Sequence, residues 1–415
     1  MGEAGSVAVI GAGVVGCAVA RALQRSGRRV TLVDPEPPGT VTSFGNAGYI
    51  AVDHVLPLAR PDVLWRVPRM LANADAPITV RWASIPWLLP WMLRFASSCR
   101  PSEVRRGIDA LATLMAEANV AWQVEAQASG LADLFRRNGA LYVYETDAGF
   151  AQSARERKLQ HDKGAVFEIV DGARAREIAP GLTAAVKHGV HYLEGAHTIN
   201  PHRLVATLAE RFVAEGGTLD RARVLGFERA AGRVEAIVGS RGTIAADAVV
   251  IAAGRASGAL TRMLGFRAPL VAERGYHVML EPEGVRFALP VGSGERGFFI
   301  TPMENGLRLA GTVELSTPDA PPTWRRADLL ERQTRILFPG VTGKATSRWM
   351  GERPTLPDFR PAIGRAPGLD NVYCAYGHQH LGLTLAAATG RLIVSMMDKT
   401  PLPPPLIACD PGRFG

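Results

Sequence analysis

Gly11, Gly13 and Gly16 stand in a GxGxxG pattern between an apolar run at Ser6–Ile10 and a helix-forming stretch at 14–26. The chemistry this spacing serves is capture of a pyrophosphate. The first glycine permits a tight turn, the second lets the backbone approach phosphate, and the third lets the helix pack closely. The amides at the start of the helix, Val15 among them, then face negative charge. Asp34 follows a second apolar run at Arg29–Val33, where a carboxylate can accept hydrogen bonds from ribose hydroxyls. A glycine-rich turn without a ligand would account for neither the flanking strand and helix nor the acid. NAD and FAD present the same adenosine diphosphate to such a fingerprint, so these residues leave the two open.

Holding these glycines takes a strand, a helix and a second strand, a βαβ unit with both strands buried. Farther on, Ile108, Leu111, Met115, Ala118 and Trp122 recur at spacings of three and four, one apolar face of a helix. A helical stretch at 201–216 precedes short strands near 224–228, 234–239 and 242–245, a meander feeding a buried run at 249–252. From 270 to 313, strand-like runs alternate with Gly and Pro and predict an antiparallel sheet outside the nucleotide domain. The end returns to αβ character, with a strand at 371–375, a glycine-rich turn and a helix over 383–397 that the PLPPPL tail cannot extend.

Four further landmarks bear on the cofactor. They are Thr42, Ser43, Phe44, Gly45, Asn46, Ala47 and Gly48; DAVVIAAG at 247–254, ending on Gly254; GERPTLPDFRPAIG at 351–364; and GHQHLGLT at 377–384. In order and spacing the chain resembles the D-amino-acid dehydrogenase, glycine oxidase and sarcosine oxidase superfamily of flavoproteins, nearest the D-amino-acid dehydrogenases, over nearly its whole length. The resemblance implies FAD, with the 42–48 segment lining the flavin and the backbone of Val224 meeting adenine. It also implies that Gly377, His378, Leu381, Gly382 and Thr384 form a turn whose amides and helix dipole face the flavin edge where negative charge appears on reduction. Some positions depart from the family. His380 stands where glycine oxidases have an arginine and amino-acid dehydrogenases usually a small polar residue, and Leu356 replaces a usual threonine. No cysteine lies between Cys99 and Cys374, which removes the usual thioether site and favours non-covalent FAD.

Arg353 matches the arginine of the family's GxRP motif, and a planar guanidinium suits bidentate capture of an amino-acid carboxylate. Its other reading is a structural ion pair. The resemblance places a GY dipeptide near substrate, so Tyr276 is a candidate for the carboxylate or amine. Strand alternation sends Tyr276 and His277 to opposite faces, so at most one faces the flavin. His378 and His380 are candidates to tune the flavin or touch substrate, or are ordinary loop histidines.

The 415 residues exceed the usual size of one core, and 47% hydrophobic with 21% charged residues is a globular balance. The four cysteines are widely spaced without a CxxC pair, which argues against structural zinc or a dithiol centre. A strand this near Met1 leaves no room for a signal peptide, so a cytoplasmic location is expected. The net charge of +8 does not by itself choose a partner, and no nucleic acid is expected. Between His54 and Arg106 eight arginines face three acids, beside Trp65, Trp82, Trp87 and Trp91. That stretch is too short in apolar residues to span a bilayer. It reads either as a surface lying on the inner face of the cell membrane, delivering electrons to a quinone or a protein acceptor, or as a lid over the substrate domain.

The expected fold is α/β, a Rossmann-type FAD-binding domain with an interleaved α+β substrate domain built on an antiparallel sheet. Residues 1–55, 197–265 and 346–415 are assigned to the first, 56–196 and 266–345 to the second. The expected reaction is oxidation of the C–N bond of a D-amino acid or a cyclic secondary amino acid by hydride transfer to flavin N5. Rivals are a sarcosine- or glycine-oxidase-like enzyme using oxygen, an FAD-binding electron-transfer subunit, and a nicotinamide-linked dehydrogenase.

Overall fold

The computed structural model describes residues 5–64, 75–284 and 287–414. Its first sheet has six strands. Ser6–Ile10 lies inside it, next to Arg29–Val33 and then Thr218–Asp220 on one side, and next to Ala248–Ile251 and then Val372–Tyr376 on the other, all parallel. Ala362–Arg365 closes the far edge antiparallel. Sequences such as VAVI, AVVI and VYCAY are apolar at nearly every position because helices or loops cover both faces. The chain leaves Ser6–Ile10 to one side and later returns on the other. That reversal opens a crevice at the strands' carboxyl ends, where Gly11–Gly16 sits.

Helix Val14–Arg25 packs against the last helix, Gly382–Met397, with Gly390 allowing close approach: a Cβ there would meet the Ala18 carbonyl oxygen at 2.8 Å. The last helix is long and apolar enough to cross a membrane, but more than half of it is buried in this core. Helix Pro101–Ser129 lies along it, burying every member of the Ile108, Leu111, Met115, Ala118, Trp122 stripe. The Trp122 indole donates to the Leu383 carbonyl at 2.8 Å. This helix, expected within the substrate domain, thus shares the core beneath the parallel sheet. Amphipathic spacing shows that a face is buried and is silent about the partner.

The second sheet has nine strands, running from Ala345–Thr355 through Val271–Leu280, Gly306–Leu315, Phe298–Met303, Val291–Ser293, Ala140–Tyr144 and His188–Tyr192 to Phe167–Asp171, with Ile78–Val80 beside Gly306–Leu315. It is antiparallel except where Val291–Ser293 meets Ala140–Tyr144 and Ile78–Val80 meets Gly306–Leu315. Ala345–Thr355 pairs along its length with Val271–Leu280. The GERP segment is therefore part of this sheet, and the chain rejoins the parallel sheet only at Ala362. The expected boundary at 346 falls inside the wrong sheet, because strand alternation does not reveal which edge a strand joins.

Helix Ile85–Ser98 covers this sheet's end. Leu88 and Trp91 are buried against Val271 and Phe359, while Trp82, Trp87, Leu89 and Leu93 are exposed on the outer side. Trp65 lies outside the described residues.

Candidate active site

Gly11 adopts φ +111° and its added Cβ would lie 2.5 Å from the Ala252 carbonyl oxygen, so only glycine fits this turn. Gly13 caps the first helix without a side chain, and no acid occupies the first turn, which leaves the dipole for an anion. The Val15 and Gly16 amides open that helix, while Ser43 Oγ accepts from Val14 N at 3.0 Å and ties the 42–48 segment to it. Asp34 accepts from Ala12 N at 2.6 Å and Glu36 N at 2.8 Å, which holds the glycine loop and still leaves carboxylate lone pairs for a ribose. This cradle, which side chains would fill, fits the diphosphate of FAD. A Cβ on Gly16 would come within 1.7 Å of the Gly11 carbonyl oxygen. Gly16→Ala is therefore expected to yield protein without flavin, checked by the ratio of visible to ultraviolet absorbance after purification. Retention of a full complement of FAD would count against this placement.

Beside this cradle lie the two segments expected to line the flavin ring. Thr42–Gly45 forms a short 3-10 turn, with Thr42 Oγ1 donating to the Glu352 carbonyl at 2.9 Å. Asn46 Oδ1 accepts from Gly48 N at 2.8 Å, and Ala47 is held between them. Gly48, at φ +80°, lies so close to the Thr198 carbonyl that a Cβ would sit 2.6 Å from it. Across the sheet, Arg308 donates to the carbonyls of Phe44 and Asn46 at 3.0 and 2.8 Å. Burial lowers its guanidinium only to about 10, so it stays charged beneath this segment. The Trp349 ring stacks on His277 at 5.1 Å and overlies Gly45 and Gly351, where any Cβ would strike the indole.

The second segment is the C-terminal turn. Gly377 leaves Val372–Tyr376 at φ +77°, packed on Leu356, and His378 Nε2 pairs with Thr389 Oγ1 at 2.9 Å. Gln379–Leu381 is a 3-10 turn leading into the helix at Gly382, and Thr384 Oγ1 accepts from Ala51 N at 3.0 Å. Neither this helix nor the turn carries a side-chain cap, so its first amides and positive end are available to an anionic ring edge. Val224, expected to meet adenine, opens the meander opposite Gly239, and Gly254, at φ +54°, turns the chain after Ala248–Ile251.

Arg353 lies on the same face of the nine-stranded sheet as Gly275, over which its guanidinium rests. Nη1 donates to Glu273 Oε1 at 2.8 Å and to the Thr312 carbonyl at 3.4 Å, while Glu273 Oε2 accepts from Thr355 Oγ1 at 3.0 Å. Both sequence readings of Arg353 meet here: it makes an ion pair, yet that pair engages only one arm of the fork. Thr312, whose carbonyl it meets, holds a positive φ of 57°, as do Phe359 (55°) and Gln379 (51°) in the segments that follow Thr355 and Gly377. For a β-branched threonine this is a genuine outlier, and such strain gathers at functional sites.

Tyr276 does not join them. Its hydroxyl donates to Glu314 at 3.1 Å and accepts from Thr323 N at 2.9 Å, on the opposite sheet face, in the core against helix Arg325–Leu337. The strand's two-residue period decides this: His277 is the neighbour that faces the flavin segment, its Nδ1 3.3 Å from the Gly45 carbonyl. Burial, then Arg308, lowers His277 to about 3, so the neutral ring donates that bond.

His380 is also neutral, lowered to about 3 by burial, then by His54 and Arg353. Its ring lies 5.7 Å from that of His54, whose Nε2 is 2.6 Å from the Tyr142 hydroxyl. Beside them Tyr49 donates to Asp53 Oδ1 at 2.5 Å, and Tyr142 and Phe299 pack edge to face at 5.1 Å. Asp53 Oδ2 and His54 Nδ1 are buried and make no hydrogen bond among the described residues, although His54 Nε2 lies 3.6 Å from Asp53 Oδ2. Asp53, His54, Tyr142, Glu273 and Arg308 are site residues that the motifs missed. Asp53 and His54 follow Gly48 closely enough to have been noticed, whereas Tyr142, Glu273 and Arg308 sit in ordinary strand sequences.

A βαβ unit with an open glycine cradle, an uncapped C-terminal turn and a second sheet presenting an arginine fit a flavoprotein oxidoreductase. The chain belongs to the FAD dependent oxidoreductase family of D-amino-acid oxidases and dehydrogenases, whose description matches residues 6–396. It is 33% identical to the D-amino-acid oxidase of Bradyrhizobium diazoefficiens over the full length of both chains. It is 32% identical to the D-amino acid dehydrogenase of Dechloromonas aromatica, covering 94% of this chain and 96% of that one. In fold it resembles glycine oxidase from Geobacillus kaustophilus (TM-score 0.78, 19% identity, 99% of both chains). It also resembles L-proline dehydrogenase from P. horikoshii (TM-score 0.76, 20% identity, 100% of this chain and 98% of that one). The protein is an enzyme of this oxidoreductase family.

Proposed function

We propose that the enzyme oxidises the α C–N bond of a small D-amino acid, or of a cyclic secondary amino acid. The observation that carries this reading is the Arg353 guanidinium, with one arm held by Glu273 and the other free beside the neutral His380. Bound FAD supplies a two-electron acceptor. Arg353 holds the substrate carboxylate and thereby fixes which α C–H bond faces the ring. The ammonium proton passes to the Asp53–His54 pair, in which His54 Nδ1 makes no hydrogen bond among the described residues and His54 Nε2 lies 3.6 Å from Asp53 Oδ2. The neutral amine then gives up its α hydrogen as hydride, the C–N bond becomes that of a protonated imine, and water hydrolyses a primary one to a 2-oxo acid and ammonium.

The D preference rests on the names of both curated relatives, and the dehydrogenase reading on that of the Dechloromonas aromatica relative, the Bradyrhizobium diazoefficiens one being named an oxidase. Non-covalent FAD is supported by the cysteines: all four are buried, and burial pushes the thiols of Cys99, Cys374 and Cys409 up to about 11, 12 and 11. Such thiols are poor nucleophiles at neutral pH. Trp82, Trp87, Leu89 and Leu93, exposed near Arg81 and Arg94, favour a quinone reached from a membrane surface over oxygen as acceptor, on the cytoplasmic side.

One experiment tests the set. Anaerobic addition of D- and L-amino acids, prolines and sarcosine is expected to bleach the yellow protein with D-amino acids or prolines. Reoxidation is expected to be faster with a quinone in anionic vesicles than in air, and acid precipitation is expected to release all the flavin. Bleaching by L-amino acids or sarcosine alone would refute the substrate reading, and rapid reoxidation by air would refute the acceptor.

A further inference from the structure

Next to the Arg353–Glu273 pair lies a cavity of about 80 Å³, walled by Trp91, Met92, Phe95, Val313, Leu315 and Phe359 among other apolar side chains. Glu273 is its only charged lining residue among the described residues, and both Glu273 oxygens are already taken, by Arg353 and Thr355. The cavity and the guanidinium proposed to hold the carboxylate therefore share one residue as a wall. Trp91 is fastened there by its indole, which donates to the Thr355 carbonyl at 3.3 Å. Phe95 and Phe359 pack on it at 5.5 and 6.4 Å between ring centres. One lining residue, Phe359, holds a positive φ of 55°. Such strain gathers at functional sites, and a close-packed interior leaves few spaces of this size.

We infer that this cavity receives the substrate side chain and makes the enzyme selective for short, branched aliphatic amino acids. The inference rests on the amino-acid reading above and narrows its substrate class. Its physical basis is size and polarity. An apolar cavity of about 150 Å³ takes benzene, roughly 25 Å³ per carbon, so this one takes about three carbons. A carboxylate held by Arg353 has its α carbon two bonds from the bound oxygens, and the side chain then extends toward the cavity that Glu273, the partner of Arg353, helps to wall. The three carbons beyond it in leucine fill the space, a methyl leaves it empty, and a phenyl ring exceeds it. A charged side chain would be desolvated without a free partner.

Each buried methylene is worth about fourfold in binding. D-Leucine is therefore expected to reduce the flavin with roughly 50-fold higher second-order efficiency than D-alanine, and with higher efficiency than D-phenylalanine, under anaerobic rapid mixing. Two variants read the cavity in opposite directions. Val80 is another wall of the cavity, and Val80→Phe fills it and is expected to remove the advantage of D-leucine over D-alanine. Phe95→Ala enlarges it and is expected to raise the D-phenylalanine rate relative to D-leucine. Flavin content and the D-alanine rate report whether each variant is folded. Efficient reduction by D-alanine with a flat ranking of side chains, or an equal effect of Val80→Phe on both substrates, would overturn the cavity assignment and leave the amino-acid reading standing. Failure of every amino acid to reduce the flavin would sink both.

Discussion

Arg353→Met is expected to raise the amino-acid concentration for half-maximal flavin reduction by about 10²-fold or more, with the yellow chromophore retained. Hydrogen bonds to charged groups contribute about 1.5–3 kcal/mol each, and a bidentate carboxylate makes two. One arm of the guanidinium is engaged by Glu273, which is 2% exposed, so the substitution also strands a buried carboxylate. Breaking such a pair costs about 3–5 kcal/mol of stability. The double variant Arg353→Met, Glu273→Gln removes that stranded charge and separates the two roles. If Arg353 captures substrate, the double variant recovers thermal stability while half-saturation stays high. If Arg353 serves only to neutralise Glu273, the double variant binds substrate like the wild type, and the capture role is refuted.

The residues legible in the sequence are those whose role is local. Gly11, Gly13 and Gly16 announce themselves because a tight turn, a close approach and a packed helix are demands made within one βαβ unit. The same holds for the turn at Gly377–Gly382, where strand, glycine and helix follow one another along the chain. Substrate-side residues answer to a different geometry. Asp53, Tyr142 and His380 come from a loop, a strand and a C-terminal turn, and only the packing of the two sheets brings them together. Tyr276 and His277 show where the limit lies. Alternation gave two faces, but which face meets the flavin depends on the pairing of Val271–Leu280 with Ala345–Thr355 and on the way that sheet leans over Gly45. Register of this kind is decided across the 64 residues between the two strands, 281–344, and leaves no mark in either strand.

Acid should unfold this protein at a pH where carboxylates are still largely ionised. Three histidines with little or no exposure are held neutral: burial, then Arg136, lowers His197 to about 4; burial, then Arg308, lowers His277 to about 3; and burial lowers His378 to about 3. In the unfolded chain each regains its ordinary value near 6.5. Between about pH 6.5 and 4 the unfolded state therefore binds more protons than the folded one, so stability rises with pH and is lost as pH falls through this window. At pH 5 each histidine costs on the order of 2 kcal/mol, and the three together about 6 kcal/mol, a large share of the 5–15 kcal/mol typical of a folded protein. The urea midpoint is expected to be level from pH 8 to 7, to fall steeply below 6.5, and to reach little residual stability near pH 5, with FAD released in step. His277→Gln keeps a neutral donor for the Gly45 carbonyl but does not titrate, so it is expected to remove about one third of the slope between pH 6 and 5. A midpoint that stays level down to pH 5 would mean that these rings are protonated in the folded protein. The neutral imidazoles on which the site's electrostatics rest, His277 beneath the flavin segment and His378 in the C-terminal turn, would then have to be abandoned.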